Sequence, residues 1–246
     1  MKQRDRQPEL MDDPALSKEE HQQALRGLTR LNRFSGVSGA MYRRIRDHAT
    51  TSQATRLRVL DVASGAGDLP VSWAKRARKD SIKLDITTVD ISPTAIDQQR
   101  AAAAAANVSI EAIQMDCLKG NLPSGFDVVT CSLFMHHLDN HQVFCLLQSM
   151  QQATESSILV CDLHRSRMNL ALVSIASRLV TRSPIVHYDA AASVRAAFTA
   201  DEFSKIAEDA LVRPVNVQPM FPCRFLMSLD RKVAMETEAD AAVAFA

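Results

Sequence analysis

The stretch VLDVASGAGDLP, Val59–Pro70, decides the fold. An apolar run reaches Asp61 and then gives way to small residues, with Gly65 and Gly67 among them, before a helical pattern begins. A buried strand that ends in this way turns sharply against a ligand. Glycine backbone enters positive φ and approaches a bound group as no residue with a Cβ does.

Working outward, the chain keeps alternating short β-rich runs with helical segments. DLPVSWAKRARK (68–79) reads as a helix, KLDITTVD (83–90) as a strand and SPTAIDQQRAAAAAA (92–106) as a helix with Pro93 in its first turn. VSIEAIQMD (108–116) and FDVVTCS (126–132) are further strands, NHQVFCLLQSMQQAT (140–154) a helix and SSILVCDL (156–163) a strand. Strands alternating with helices form βαβ units, so the expected fold is α/β: a Rossmann-like doubly wound sheet, mostly parallel. SRMNLALVSIASRLVTR (166–182) and VRAAFTADEFSKIAEDA (194–210) read as helices. VRPVNVQPM and CRFLMSLD, joined around Phe221-Pro222, read as two strands that close the sheet with an antiparallel edge.

Ahead of the first strand, Ser17 and Glu20 form a capping-box signature, and Ala24, Leu25, Leu28 and Leu31 recur on one face until Gly36. A second short helix follows. The expected organisation is a flexible tail over 1–14, a helical cap over 15–50, a ligand-binding domain over 55–230 with an insertion at about 165–198, and a loose tail over 231–246.

With 246 residues, 46% of them hydrophobic, the chain can bury a core of domain size. A formal net charge of +1 gathers neither nucleic acid nor an anionic membrane by field alone. The five cysteines are odd in number and scattered without metal-ligand spacing, so they read as reduced fillers and no metal is expected. No stretch is apolar for long enough to span a bilayer, and the N-terminus has no signal core. The expectation is a cytoplasmic protein without stable membrane insertion, monomeric or homodimeric.

In an open parallel sheet, ligands bind beyond the carboxyl ends of the strands. Those positions hold Asp61, Ala63, Ser64, Gly65 and Asp68 after the first strand, Asp90 after the second, Asp116 and Cys117 after the third, and Ser132, His136 and His137 after the fourth. Asp90 is placed for a ribose diol. A dinucleotide needs its diphosphate at a helix N-terminus, but the third glycine position of that motif is Pro70 and the acid Asp68 stands beside it. A cationic nucleoside without phosphates suits these acids better, and S-adenosylmethionine meets that description.

VLDVASGAGDLP, TVDISPTAI, IQMDCLKGNLPSGFDVVTCSLFMHHL and ILVCDL resemble, in order and spacing, the motifs of class I S-adenosylmethionine-dependent methyltransferases. Within them the chain is similar to the ubiquinone/menaquinone-biosynthesis group. LNRFSGVSGAMYRRIRD (31–47) resembles that group's N-terminal lid and SVRAAFTADEF (193–203) its late substrate-side segment. The resemblance covers roughly residues 20 to 230. It implies that Asp61, Ala63, Ser64 and Gly65 line the methionine end of the cofactor, that Asp90 and Ile91 hold the ribose and adenine edge, and that Asp116 and Cys117 meet the adenine. Ser132 would offer its carbonyl to the ammonium, with Asn32 and Arg43 added from the lid. One departure is Ala63, where the usual motif has glycine.

The implied reaction is in-line methyl transfer to the oxygen or carbon of a small aromatic, quinone-like or polyketide-like acceptor, leaving S-adenosylhomocysteine. The cofactor supplies the electrophile, so the protein aligns the partners and removes a proton where one must leave. His137, His164 and His187 are the candidate bases, and Arg195 the candidate partner of an acidic acceptor group. Other readings are a binding module without transfer activity, a nucleic-acid methyltransferase, which would want an N-P-P-Y-like loop where CSLFMHHL stands, and an NAD-dependent oxidoreductase, which the phosphate argument disfavours.

Overall fold

In the computed structural model, which describes residues 1, 3–12 and 15–230, seven strands form one sheet between two layers of helices. The elements run α1 (Lys18–Phe34), α2 (Val37–Thr51), β1 (Arg56–Val62), α3 (Asp68–Lys79), β2 (Lys83–Asp90), α4 (Pro93–Ala106), β3 (Ile110–Gln114) and β4 (Phe126–Ser132). They continue with α5 (Asn140–Ala153), β5 (Thr154–Leu163), α6 (Arg167–Val180), α7 (Pro184–Ala196), α8 (Ala200–Leu211), β6 (Asn216–Met220) and β7 (Arg224–Asp230). Short 3-10 turns occupy Leu10–Asp12 and Met135–His137. The expected loose tail over 231–246 lies outside the described residues.

The sheet order is β3-β2-β1-β4-β5-β7-β6. Neighbours from β3 to β5 are parallel. The reversed strand, β7, pairs antiparallel with both β5 and β6, so it sits one place in from the edge. Strand order reverses between β1 and β4, which opens a crevice at their carboxyl ends.

Alternation along the strands feeds two cores. Leu57 and Val59 of β1 join Ile86, Val128 and Leu159 under α2 and α3, where Met41, Ile45 and Trp73 are fully buried. Leu60 and Val62 point to the other face and join Val129, Ile158 and Val160 under α5 and α8, with Leu146, Met150, Phe203 and Ala207. Sheets covered on both faces read as near-continuous apolar runs, as these strands do.

The helix ends follow local chemistry. Ser17 and Glu20 make the reciprocal bonds of the capping box ahead of α1, and Thr199 and Glu202 do the same for α8. Thr199 thereby breaks the single helical run read from the sequence over 194–210 into α7 and α8, and Phe198 makes a bridge with His164 in the gap.

Residues 3–12, expected as a frayed end, lie instead against the body of the protein. The Arg4 guanidinium donates to the carbonyls of Ala196, His136 and Leu138 at 2.6–3.0 Å and stacks 3.5 Å over the Phe198 ring. Arg6 donates to the carbonyl of His137, and the backbone N–H groups of Leu10 and Met11 donate to the Asp189 carboxylate. Sequence patterning misses this because the partners are carbonyls distant in the chain. Burial holds the Arg4 guanidinium down to about 10.

Candidate functional site

The turn after β1 is a braced cradle. Ala63, Gly65 and Gly67 all take left-handed conformations, with φ of 54°, 56° and 75°. Gln99 on α4 pins the turn, its amide donating to the Gly65 carbonyl at 2.8 Å while its oxygen accepts from Thr88 at 2.6 Å. A Cβ on Gly67 would stand 2.9 Å from Gln99 Cγ, so close approach as well as φ demands glycine there. Ala63 adopts a backbone that glycine takes without strain, which accounts for the glycine of the usual motif.

Asp61 is not at the ligand surface, where the resemblance put it. It is buried beneath the turn and accepts from Ser64 Oγ and Thr130 Oγ1, each at 2.6 Å. Burial raises its carboxyl to about 7 against the pull of those two hydroxyls. The acid that reaches the ligand space is Asp68, in the first turn of α3, raised to about 6 by burial.

A cavity of about 930 Å³ opens beside the turn, near the upper end of the ligand-pocket range. Ala63, Ser64, Gly65, Asp90, Ile91, Asp116, Cys117 and Ser132 all line it. Asp90 accepts from the Gly65 N–H at 2.8 Å and from the Ser92 N–H at 2.9 Å, one on each oxygen, so its carboxylate is locked across the crevice. Ile91 and Leu118 are apolar yet exposed on this rim. Asp116 is held by the Leu118 N–H and faces Lys119. The Cys117 thiol, raised to about 12 by burial and then by Asp116 and Asp90, stays protonated and inert. Ser132 Oγ is buried without a hydrogen-bond partner, as a group awaiting a ligand would be.

Away from the turn, the far half of the cavity has an apolar wall of Leu133, Phe134, Leu163, Leu172, Val173 and Leu179, with Glu9, His136, His137, Asn169, Ser193 and Arg224 as polar groups of the lining. His136 Nδ1 lies 2.6 Å from Asp162 Oδ1, and its backbone N–H donates to Asp162 Oδ2 at 3.0 Å. Burial alone would lower the His136 imidazole, but the charge and hydrogen bond of Asp162 reverse this and hold it above the usual histidine range. His137 packs against it, ring centroids 4.3 Å apart, and is pushed down to about 3 by burial and by His136, which makes it a neutral and weak base. Glu9, delivered by the N-terminal segment, stands 3.8 Å from His137 Nδ1.

Ligand atoms of Glu9, His136 and His137 lie within 4.8 Å of one another. The rings of His136 and His137 are tilted by 33°, and His136 Nδ1 is bonded to Asp162. The Asp162 contact orients the His136 ring and raises its basicity.

Several expected residues stand away from the cavity. His164 lies in the bridge to Phe198 and His187 Nε2 bonds the Thr181 carbonyl at 2.8 Å, neither of them in the cavity wall. Arg195 and Arg43 are exposed outside it. Asn32 lies in α1, but its side chain is outside the described residues. The guanidinium in the cavity is Arg224 at the start of β7, whose Nε is buried without a partner. Sequence reading set His136 at the ligand end of the fourth strand without naming it as a base, and passed over Asp162, Glu9 and Arg224. Asp162 ends β5 as Asp61 and Asp90 end theirs, so the strand-end rule could have found it; Glu9 carried no such signal.

Comparison with known proteins agrees with this architecture. Residues 59–157 match the family model described as a methyltransferase domain. The fold is similar to the plantazolicin methyltransferase BpumL in complex with SAH, at 16% identity and a TM-score of 0.65 over 89% of this chain and 91% of that one. It is also similar to magnesium protoporphyrin IX methyltransferase from Synechocystis PCC 6803 with bound SAH, at 11% identity and a TM-score of 0.55 over 90% of each chain. The S-adenosylmethionine-dependent methyltransferase SibL matches at 21% identity and a TM-score of 0.55 over 71% of this chain, which spans 50% of SibL's length. No curated protein matches the chain by sequence.

Proposed function

We propose that this chain, whose residues 59–157 match the family model described as a methyltransferase domain, transfers a methyl group from S-adenosylmethionine to an oxygen or carbon of a small, largely apolar acceptor. One observation carries the reading: Asp90 is locked across the crevice beyond β1 and β2, while the acid Asp68 occupies the helix turn where a dinucleotide would need its diphosphate. A cationic nucleoside fits both features.

When bound, the cofactor supplies a methyl carbon activated by its sulfonium. Asp90, fixed by the N–H groups of Gly65 and Ser92, would hold the ribose. Ile91 and Leu118 cover the adenine, which removes their apolar surface from water. Asp68 and the orphan Ser132 hydroxyl face the charged tail.

On the acceptor side, the walls of the far half exclude water. Arg224 Nε donates to an oxygen of the acceptor, in the role the sequence gave to Arg195. His136, rather than His137, takes the proton of the acceptor hydroxyl, because Asp162 raises its basicity while His137 is too weakly basic. Asp162 stabilises the resulting imidazolium and keeps its ring oriented. Alignment of two partners in one cavity contributes several kcal/mol to the barrier reduction.

The test is titration of the protein with S-adenosylhomocysteine in a calorimeter, beside Asp90→Ala, followed by a radiolabelled methyl donor with a panel of phenols. Micromolar binding that Asp90→Ala weakens at least tenfold, with label transferred, supports the reading. Binding without transfer to any acceptor would leave a cofactor-binding module, and no binding defeats the proposal.

A further inference from the structure

Helix α6 carries apolar side chains on its outer side as well as on its inward side, where Leu170 and Val173 pack against Leu163, Val194 and Ala197. Its inward side carries Asn169 and Ser177, both buried, while Met168 is 65% exposed, Leu172 44%, Ile175 60% and Leu179 82%. A helix that meets water along its outer face carries polar residues there. The inward polarity has a local cause, since the Asn169 amide donates to the carbonyls of His164 at 2.9 Å and Cys223 at 3.1 Å. Of the four exposed apolar residues, Leu172 and Leu179 border the cavity, while Met168 and Ile175 are exposed outside its wall.

The four outward residues follow one another at spacings of four, three and four, which is a single stripe along a helix. They make up four of the ten large hydrophobic side chains exposed among the described residues, so the surface apolarity is concentrated here rather than scattered. Exposed arginines flank the stripe, Arg167 at one end and Arg178 and Arg182 at the other. From His164 to Tyr188 the sequence contains no aspartate or glutamate.

We infer that the outer face of α6 docks on an anionic lipid surface, with the stripe in the interfacial layer and the arginines among the headgroups. The helix has 14 residues, and no described helix is long and apolar enough to cross a membrane, so α6 lies on the surface. Charge selects the lipid over a second copy of the chain. A two-fold contact sets the same patch against itself, and this patch would bring arginine against arginine with no acid of its own segment between. Leu172 and Leu179 also line the cavity, so the stripe runs into the cavity wall and an apolar acceptor dissolved in the interface has a short path inward. That last consequence alone rests on the methyl-transfer reading.

The experiment is sedimentation of the full chain with vesicles of phosphatidylcholine alone or mixed with phosphatidylglycerol. The protein sediments with the anionic vesicles, less so as salt rises, and Arg178→Gln weakens this about fivefold, the value of one basic residue near such a surface. Met168→Glu and Ile175→Glu, at exposed positions outside the cavity wall, abolish sedimentation while S-adenosylhomocysteine binding and melting temperature stay unchanged. A wild-type protein left in the supernatant, or Ile175→Glu bound as tightly as wild type, overturns the proposal. Concentration-dependent dimers lost in Ile175→Glu, without vesicle binding, would give the face to a second copy. Vesicle binding without affinity for S-adenosylhomocysteine defeats the methyl-transfer reading and leaves the surface standing.

Discussion

Asp162 grips His136 twice, accepting the backbone N–H on one carboxylate oxygen at 3.0 Å and meeting ring Nδ1 with the other at 2.6 Å. Both residues are buried, and His136 reaches the cavity where β4 and β5 end. A carboxylate that fixes both backbone and ring sets the tautomer as well as the basicity of the imidazole. His136→Gln should therefore lower kcat by about 100-fold or more if the acceptor must lose a proton. His137→Gln should cost much less.

The pH profile distinguishes a proton acceptor from a packing residue. Because the folded His136 pKa is raised by Asp162, methyl transfer rises with pH as the ring's proton leaves, at a higher pH than for an ordinary histidine. In Asp162→Asn the rise moves to lower pH. For stability the sign is opposite: the His136 contribution is fully present below the unfolded histidine pKa and is lost as pH rises through the folded value. Rate profiles and thermal melts across the same range check both.

Cofactor binding should release protons. Asp61 is raised to about 7 and Asp68 to about 6, so near pH 6 both are partly protonated before a cation arrives. A bound positive charge favours the carboxylate, so affinity for S-adenosylmethionine rises with pH through this window. Calorimetry in two buffers of different ionisation heat gives the number of protons released. Asp68→Asn should reduce it, and a pH-independent affinity would contradict the assignment.

Gly67→Ala should destabilise the fold by about 2 kcal/mol, from left-handed strain and from the approach to Gln99 Cγ. For a chain of this size the melting temperature falls by roughly 4–8 °C. Displaced, Gln99 releases the Gly65 carbonyl, so binding of S-adenosylhomocysteine should weaken in the same variant.

Arg4→Ala removes the donors to three backbone carbonyls and the contact over Phe198, for a loss of about 2 kcal/mol. It should also expose residues 3–12 to protease. Limited proteolysis with mass-spectrometric mapping follows the segment directly, and an unchanged cleavage pattern would sink this account of the N-terminus.

Much of the site was legible because its logic is local. Strand, acid, small residues and helix follow one another at Asp61, Asp90 and Asp116, and parallel pairing then sets those strand ends side by side. Asp61 shows the limit: its place at the strand end was readable, but its occupation by Ser64 and Thr130 depended on which way the side chain turned. Arg195 and Arg224 show it again. Both are cations late in the chain, and only packing decided that the first faces water and the second the cavity.

The amino-acid order by itself determined the doubly wound sheet and the turn that lines the cavity, since apolar periodicity and glycine conformation act over a few neighbouring residues. Tertiary structure alone decided which histidine gains a carboxylate, that Glu9 is carried to the cavity beside His137, and that α6 leaves one apolar stripe exposed. Those outcomes depend on contacts between segments far apart in the chain, where burial and charge are set by neighbours that no local pattern names.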